Sequence, residues 1–184
     1  MRNILTIAFL LCMSFSAKAD NALLRAMLSC CPEKTCPLLE RDSIDSCIIR
    51  ETERLVEVQV TECSTLQLAR LTDTLYCAVS TFAAPEKESR VVVVDDSWNE
   101  VSVIPLPVEL VLADKSICDS LSARGITNAE ASLMLSNSLV SASFDDSMQL
   151  VLTLTPLAMT EEDSKRLKDL VLSRRMKFEG KELK

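Results

Sequence analysis

Between Leu55 and Asp96 the chain carries four strand-like runs joined by short links, and this feature limits the fold more than any other. Val56, Val58 and Val60 alternate with Glu57, Gln59 and Thr61, the period of a half-buried strand. "STLQLARL" repeats the alternation with Leu66, Leu68 and Arg70 against Gln67 and Ala69. "LYCAVSTF" and "SRVVVVDD" follow, separated by the polar, proline-bearing "AAPEKE". Parallel neighbours need long crossovers, so links this short predict an antiparallel meander. Val91 to Val94 has no alternation, which predicts a strand covered on both faces. Cys77 alternates in phase with Leu75 and Val79, so it is expected to be a buried, unreactive thiol.

Helical patterns flank this sheet. Leu23, Leu24, Met27 and Leu28 form one apolar stripe behind Asp20 or Asn21, and Pro32 is expected to end it. A second short helix is expected from Asp42 or Ser43, with Ile44, Cys47 and Ile48 on one face. Pro105 and Pro107 argue against an interior strand or helix around them. Beyond them, Ser116 to Ser122 and Asn128 to Leu135 read as short helices, and "LVSASF" with "SMQLVLTLTP" as a hairpin turning at Asp145-Asp146. Glu161, Glu162 and Asp163 suit a first helical turn, where the dipole favours acids, with Leu167, Leu170 and Val171 as the buried stripe. "MKFEG" reads as a last strand. The expected class is therefore α+β: N-terminal helices, an antiparallel meander sheet, then a second helix and strand half. "ECSTLQLARL" and "DDSMQLVLTL" echo one another weakly, which is compatible with halves at 20–104 and 105–184 of one domain spanning 20–184.

The first residues predict export. Arg2, an apolar run from Ile4 to Phe15, and Ala17-Lys18-Ala19 form a signal peptide over residues 1–19, cleaved after Ala19. The apolar run is too short to cross a bilayer, which needs about 20 residues. No later run qualifies; that from Val101 to Ala113 is broken by Pro105, Pro107 and Glu109. The expected location is periplasmic or secreted, with a lipoprotein at Cys12 as the minor alternative.

Composition removes several chemistries. The chain of 184 residues has no histidine, which excludes histidine-based nucleophilic catalysis and histidine-bearing zinc sites. Its two glycines, Gly125 and Gly180, are far apart, so there is no phosphate-cradling loop. The net charge is −7 with no basic stripe, and it falls further once Arg2 and Lys18 leave, so nucleic acid is not an expected partner.

The residues up to this point resemble a secreted family of anaerobic Gram-negative bacteria, domain-of-unknown-function family 3256. The likeness rests on "CPEKTCPLLERDSID" (Pro32, Pro37, Leu38, Leu39, Asp45), "VTECSTLQLARL", "YCAVSTFAAPEKESRVVVVDDSW" (Cys77, Val79, Pro85, Ser89, Arg90, Trp98) and the C-terminal "RLKDLVLSRRMKFEGKEL". It implies an exported α+β domain and assigns no activity, substrate or catalytic residue. It places apolar residues at Cys31 and Cys36 and a cysteine at Cys77.

"CCPEKTCPLLERDSIDSC" is the densest chemical feature, with Cys30, Cys31, Cys36 and Cys47. Packed free thiols are one reading, since cysteine behaves as a small hydrophobe. A disulfide joining Cys36 or Cys31 to Cys47 is the other, with Cys36–Cys47 as the candidate pair. Cys-x4-Cys is not the Cys-x2-Cys of redox catalysts, and four-thiolate zinc wants two short spacings, so no metal or cofactor is expected. Eight cysteines less Cys12 leave an odd number, so at least one has no intramolecular partner. Asp95-Asp96 and Asp145-Asp146 read as solvated turn residues. Arg90 and Trp98 are the candidate interaction residues, against two structural roles: a cross-strand ion pair for Arg90 and a packing plug for Trp98. A non-enzymatic envelope module that binds a partner protein or surface component through a sheet face or edge fits these observations. The alternative is a carboxylate-only hydrolase such as a glycosidase, which needs two carboxylates roughly 5 to 9.5 Å apart in a cleft.

Overall fold

The computed structural model describes residues 22–83, 85–157 and 159–184. The expected signal at 1–19, with Cys12, lies outside the described residues. Among the described residues no helix is long and apolar enough to cross a membrane.

The middle layer is a six-stranded antiparallel meander in the order β1-β2-β3-β4-β5-β6. Its strands are β1 (Ile48–Thr52), β2 (Leu55–Thr61), β3 (Ser64–Arg70), β4 (Leu75–Ala83), β5 (Lys87–Asp95) and β6 (Glu100–Ile104). The four strands read from the alternation are all present, and β1 and β6 extend the sheet at its two edges. Val91 to Val94 are buried on both faces.

One face of the sheet is covered by helix α1, residues 22–29. Leu24, Met27 and Leu28 pack with Val56, Val58, Leu66, Leu68, Tyr76, Ala78, Val92 and Val94. Burying each of these large side chains contributes about 1.5–3 kcal/mol. Leu23, expected in the same stripe, is 41% exposed, because the stripe runs through residues 24, 27, 28 and 31 and Leu23 falls to one side of it. The second helical segment is a 3-10 turn, Arg41–Ser43, running into α2 (Ile44–Cys47). Neither Glu40 nor Ser43, the residues at the two caps, accepts from a backbone N–H of the helix through its side chain; the Ser43 hydroxyl instead donates to the Glu40 carboxylate at 3.1 Å. Ile44 is buried, and Cys47 and Ile48 pack partly against it.

The other face receives the second half of the chain. After Ile104 come α3 (Val108–Leu112), α4 (Lys115–Ala123), α5 (Asn128–Met134), the hairpin β7 (Ser138–Phe144) with β8 (Leu150–Pro156), α6 (Glu161–Leu167), and β9 (Ser173–Met176), β10 (Phe178–Glu179) and β11 (Glu182–Leu183). β7, β8 and β9 form a second antiparallel sheet, and β10 with β11 a small hairpin. Leu55, Ala69, Cys77, Val79 and Val91 share one core with Ile117, Leu121, Phe144, Leu150 and Leu152. Pro107 does not prevent α3, because it stands at the N-cap, where its missing N–H costs nothing. Thr127 and Glu130 close a capping box on α5, and Thr160 caps α6.

Val171, expected in the buried stripe of α6, is exposed. The helix ends at Leu167, and Asp169 turns the chain with a φ of 64°, which breaks the helical register before Val171. The last strand region is split in two by Gly180, whose φ of 63° makes the tight turn between β10 and β11.

Candidate functional site

β7 is an edge strand of the small sheet, yet its outer side is occupied. The N–H of Ala142 donates to Ser89 Oγ at 2.9 Å, and its carbonyl lies 3.3 Å from Ser89 Oγ and 3.5 Å from Thr81 Oγ1. Those two hydroxyls are 2.7 Å apart, so one can turn to the carbonyl while the other completes the pair. The N–H of Phe144 donates to the buried Gln67 Oε1 at 2.9 Å, and Arg50 Nη1 donates to the Phe144 carbonyl at 2.8 Å. Four polar side chains of the large sheet thus supply hydrogen bonds that a neighbouring strand would otherwise make. Unpaired buried backbone groups cost about 1–3 kcal/mol each, so this stripe holds the second half in place.

β6 is the opposite case. Among the described residues it pairs with β5 alone, so the backbone groups on its outer side have no strand partner. Val101 and Val103 on it are 41% and 51% exposed. Val103 stands opposite Val92, on the face that α1 covers, but beyond the reach of that cover. The far edges of the two larger sheets, opposite β6 and β7, are charged: Arg50 and Glu51 lie on β1, and Arg174 and Arg175 on β9. Charge on an edge strand discourages pairing, and β6 has only Glu100, at its start.

A groove of about 480 Å³ runs beside β6. Ser102 to Pro105 form one wall, Lys181 to Leu183 of the C-terminal hairpin the other, with Leu110 and Met176 between. β11 pairs only with β10 among the described residues. Two strand edges therefore wall the same groove.

Arg90 Nη2 donates to Glu100 Oε1 at 2.9 Å, across β5 and β6, and the pair is half exposed. This is the cross-strand pairing that the sequence allowed for Arg90. Arg90 also lines a slot of about 250 Å³ with Ser89, Ser138 and Val140. Ser138 Oγ, buried there, has no hydrogen-bond partner among the described residues. Trp98 is 3% exposed, and its indole N–H donates to the Met27 carbonyl at 2.8 Å. It plugs the core and ties α1 to the sheet. Arg90 and Trp98 are therefore not brought together into one surface.

The acid pairs make turns. Asp95 accepts from the N–H groups of Ser97 and Asn99, and Asp145 from those of Ser147 and Gln149. The turns "DDSWN" and "DDSMQ" share the same backbone N–H bonds, with Trp98 and Met148 at φ 60° and 59°, and the first adds a bond from the Asn99 side-chain amide to Asp95. The Asn99 side-chain amide is the main reason that Asp95 is held below the usual carboxylate range; for Asp145 it is the Gln149 N–H. Asp42 and Asp45 lie near one another beside α1, where Arg25 binds Asp45 at 2.7 Å and Glu51 through two hydrogen bonds. The groove at β6 and the slot at Arg90 are each lined by one carboxylate, Glu182 and Glu88.

The seven cysteines in the described residues are free thiols. Cys36 is buried in the α1 core and Cys47 packs partly against it. Cys77 is fully buried, and desolvation pushes its thiol well above the ordinary value. No cluster of three or more potential ligands suited to a metal occurs among the described residues.

With this geometry in view, the relatives can be placed. The family described as "Protein of unknown function (DUF3256)" matches residues 43–183. The chain belongs to that family. The match begins inside the 3-10 turn, so α1 and the cysteine-rich loop precede it. A solved structure, that of a domain of an uncharacterized protein from Porphyromonas gingivalis W83, has a similar fold: TM-score 0.54 and 14% identity, over 84% of this chain and 91% of that one. No curated protein matches.

Proposed function

We propose that this member of the DUF3256 family is an exported, non-enzymatic interaction module of the cell envelope. Its site is the groove between β6 and β11, and its ligand is an extended strand of a partner protein. The supporting observation is that two strand edges with no strand partner among the described residues wall one groove. A strand laid there would take main-chain hydrogen bonds from β6 and set one face of its side chains against Leu110 and Met176 and the other beside Val103. The signal-like residues 1–19 support export. The placement of the acids supports a binding role, since Asp95 and Asp145 act within turns and the Asp45 beside α1 is neutralised by Arg25.

A photo-crosslinking residue at Val103, with an exposed control at Leu133, tests this in the native envelope. The expected result is one discrete adduct from position 103, absent from 133, whose crosslinked peptide is a short extended segment of a single partner. Identical adducts from both positions, no adduct from 103, or turnover of a glycan by the purified protein would overturn the reading. Intact mass of the exported protein should give an N-terminus at Asp20; a lipid-bearing N-terminus at Cys12 would contradict simple export.

A further inference from the structure

The cysteine-rich opening takes no part in the groove, and its geometry has a separate meaning. The chain leaves α1 at Cys30 and reverses over Pro32 to Cys36, with the N–H groups of Thr35 and Cys36 both donating to the Pro32 carbonyl at 2.9 and 3.2 Å. Arg41 then clamps both ends of the reversal. Its Nε donates to the Cys31 carbonyl at 2.6 Å and its Nη2 to the Cys36 carbonyl at 2.9 Å. These nitrogens belong to one small, rigid, planar fork, so the two carbonyls are held side by side. Both side chains enter the same core beneath α1, at 2% and 8% exposure.

We infer that Cys31 and Cys36 are partners in a disulfide that staples the loop covering the large sheet. A disulfide joins only backbones held close together, with Cα atoms roughly 4.4 to 6.8 Å apart. The other thiols are placed differently. Cys30 and Cys63 are exposed, Cys77 lies on the opposite face of the sheet, and Cys118 lies on α4 in the second half of the chain. Cys47 is only half-buried, at the margin of the core that Cys31 and Cys36 enter. Burial raises both thiols, that of Cys31 up to about 12 and that of Cys36 above its ordinary value. Thiols that are buried and hard to ionise react slowly, so the bond forms before the loop closes and is sheltered afterwards.

The chemistry balances with a disulfide oxidant. Two S–H bonds break and one S–S bond forms, while two electrons and two protons reduce one oxidised glutathione to two glutathione thiols. Export, proposed above, bears only on where an oxidant is met; the pairing is tested without it.

The full chain is unfolded, reduced, and refolded with oxidised and reduced glutathione. Free thiols are then blocked and the protein cut with trypsin, which separates residues 26–34 from 35–41 at Lys34. The expected product is these two peptides joined, with the blocking group on Cys30, 2 mass units lighter than the sum of the Cys30-blocked peptide and its partner. Peptide 26–34 also contains Cys30, so variants assign the bond: the linked pair should persist in Cys30→Ser and Cys47→Ser and vanish in Cys31→Ser. If Cys31→Ser does not fold, fragmentation of the linked pair from Cys30→Ser still locates the bond. Loss of the pair in Cys30→Ser, a Cys36–Cys47 link, or complete blocking of Cys31 and Cys36 in the refolded wild type would overturn the inference.

Discussion

β7 and β6 are both edge strands, and they are finished in opposite ways. β7 meets the face of the large sheet, and Ser89, Thr81, Gln67 and Arg50 take up its outward backbone groups. β6 meets no strand on its outer side among the described residues and carries two exposed valines. An edge that is bonded by side chains fixes how the two halves sit together. An edge left open is available to another chain. The difference separates a structural edge from a functional one within a single molecule.

The strongest way to break the structural edge is Phe144→Ala. Phe144 is buried and packs near Phe178, with ring centroids 6.1 Å apart. Its removal should cost about 3–5 kcal/mol by urea unfolding. Gln67→Leu keeps the volume but leaves the Phe144 N–H without its acceptor, and should cost about 1–3 kcal/mol. The open edge should behave otherwise. Val103→Lys should change stability by no more than about 0.5 kcal/mol, as exposed positions do, while removing partner capture at the groove.

The two matching turns give the smallest effect. The carboxylates of Asp95 and Asp145 titrate below the usual range, so their contribution is complete above the ordinary aspartate value and is lost as pH falls through the lowered one. In Asp145→Asn the fall in melting temperature between neutral and acid pH should be shallower than in the wild type.

The parts legible in the sequence are those with a burial period. β2 to β5 alternate or run apolar because each has a covered face, and α4, α5 and the β7–β8 hairpin stood out for the same reason. β1 was hidden because "IIRET" follows a helix directly and Ile49 points to solvent, so Ile48 reads as the end of a helical face. β6 was hidden by the prolines after it and by its exposed valines, since an edge has no burial pattern to betray it. The groove was not legible either. Its walls are about eighty residues apart in sequence and only the meander and the C-terminal hairpin bring them together. The polar stripe had one visible signal, Gln67 between Leu66 and Leu68, but its acceptor role depends on a strand far along the chain. Trp98 and Met148 were not recognisable as left-handed turn residues, because neither is a residue that favours positive φ.

Residue-resolved hydrogen exchange on the full chain compares the two edges in one experiment. The amides of Ala142 and Phe144 should exchange as slowly as those inside β3, β4 and β5, although β7 ends its sheet. The β6 amides that point away from β5 should exchange orders of magnitude faster in the isolated protein and slow when the partner strand is bound. Rapid exchange at Ala142 and Phe144, or outward β6 amides already protected in the isolated protein, would contradict the assignment of one edge to structure and the other to binding.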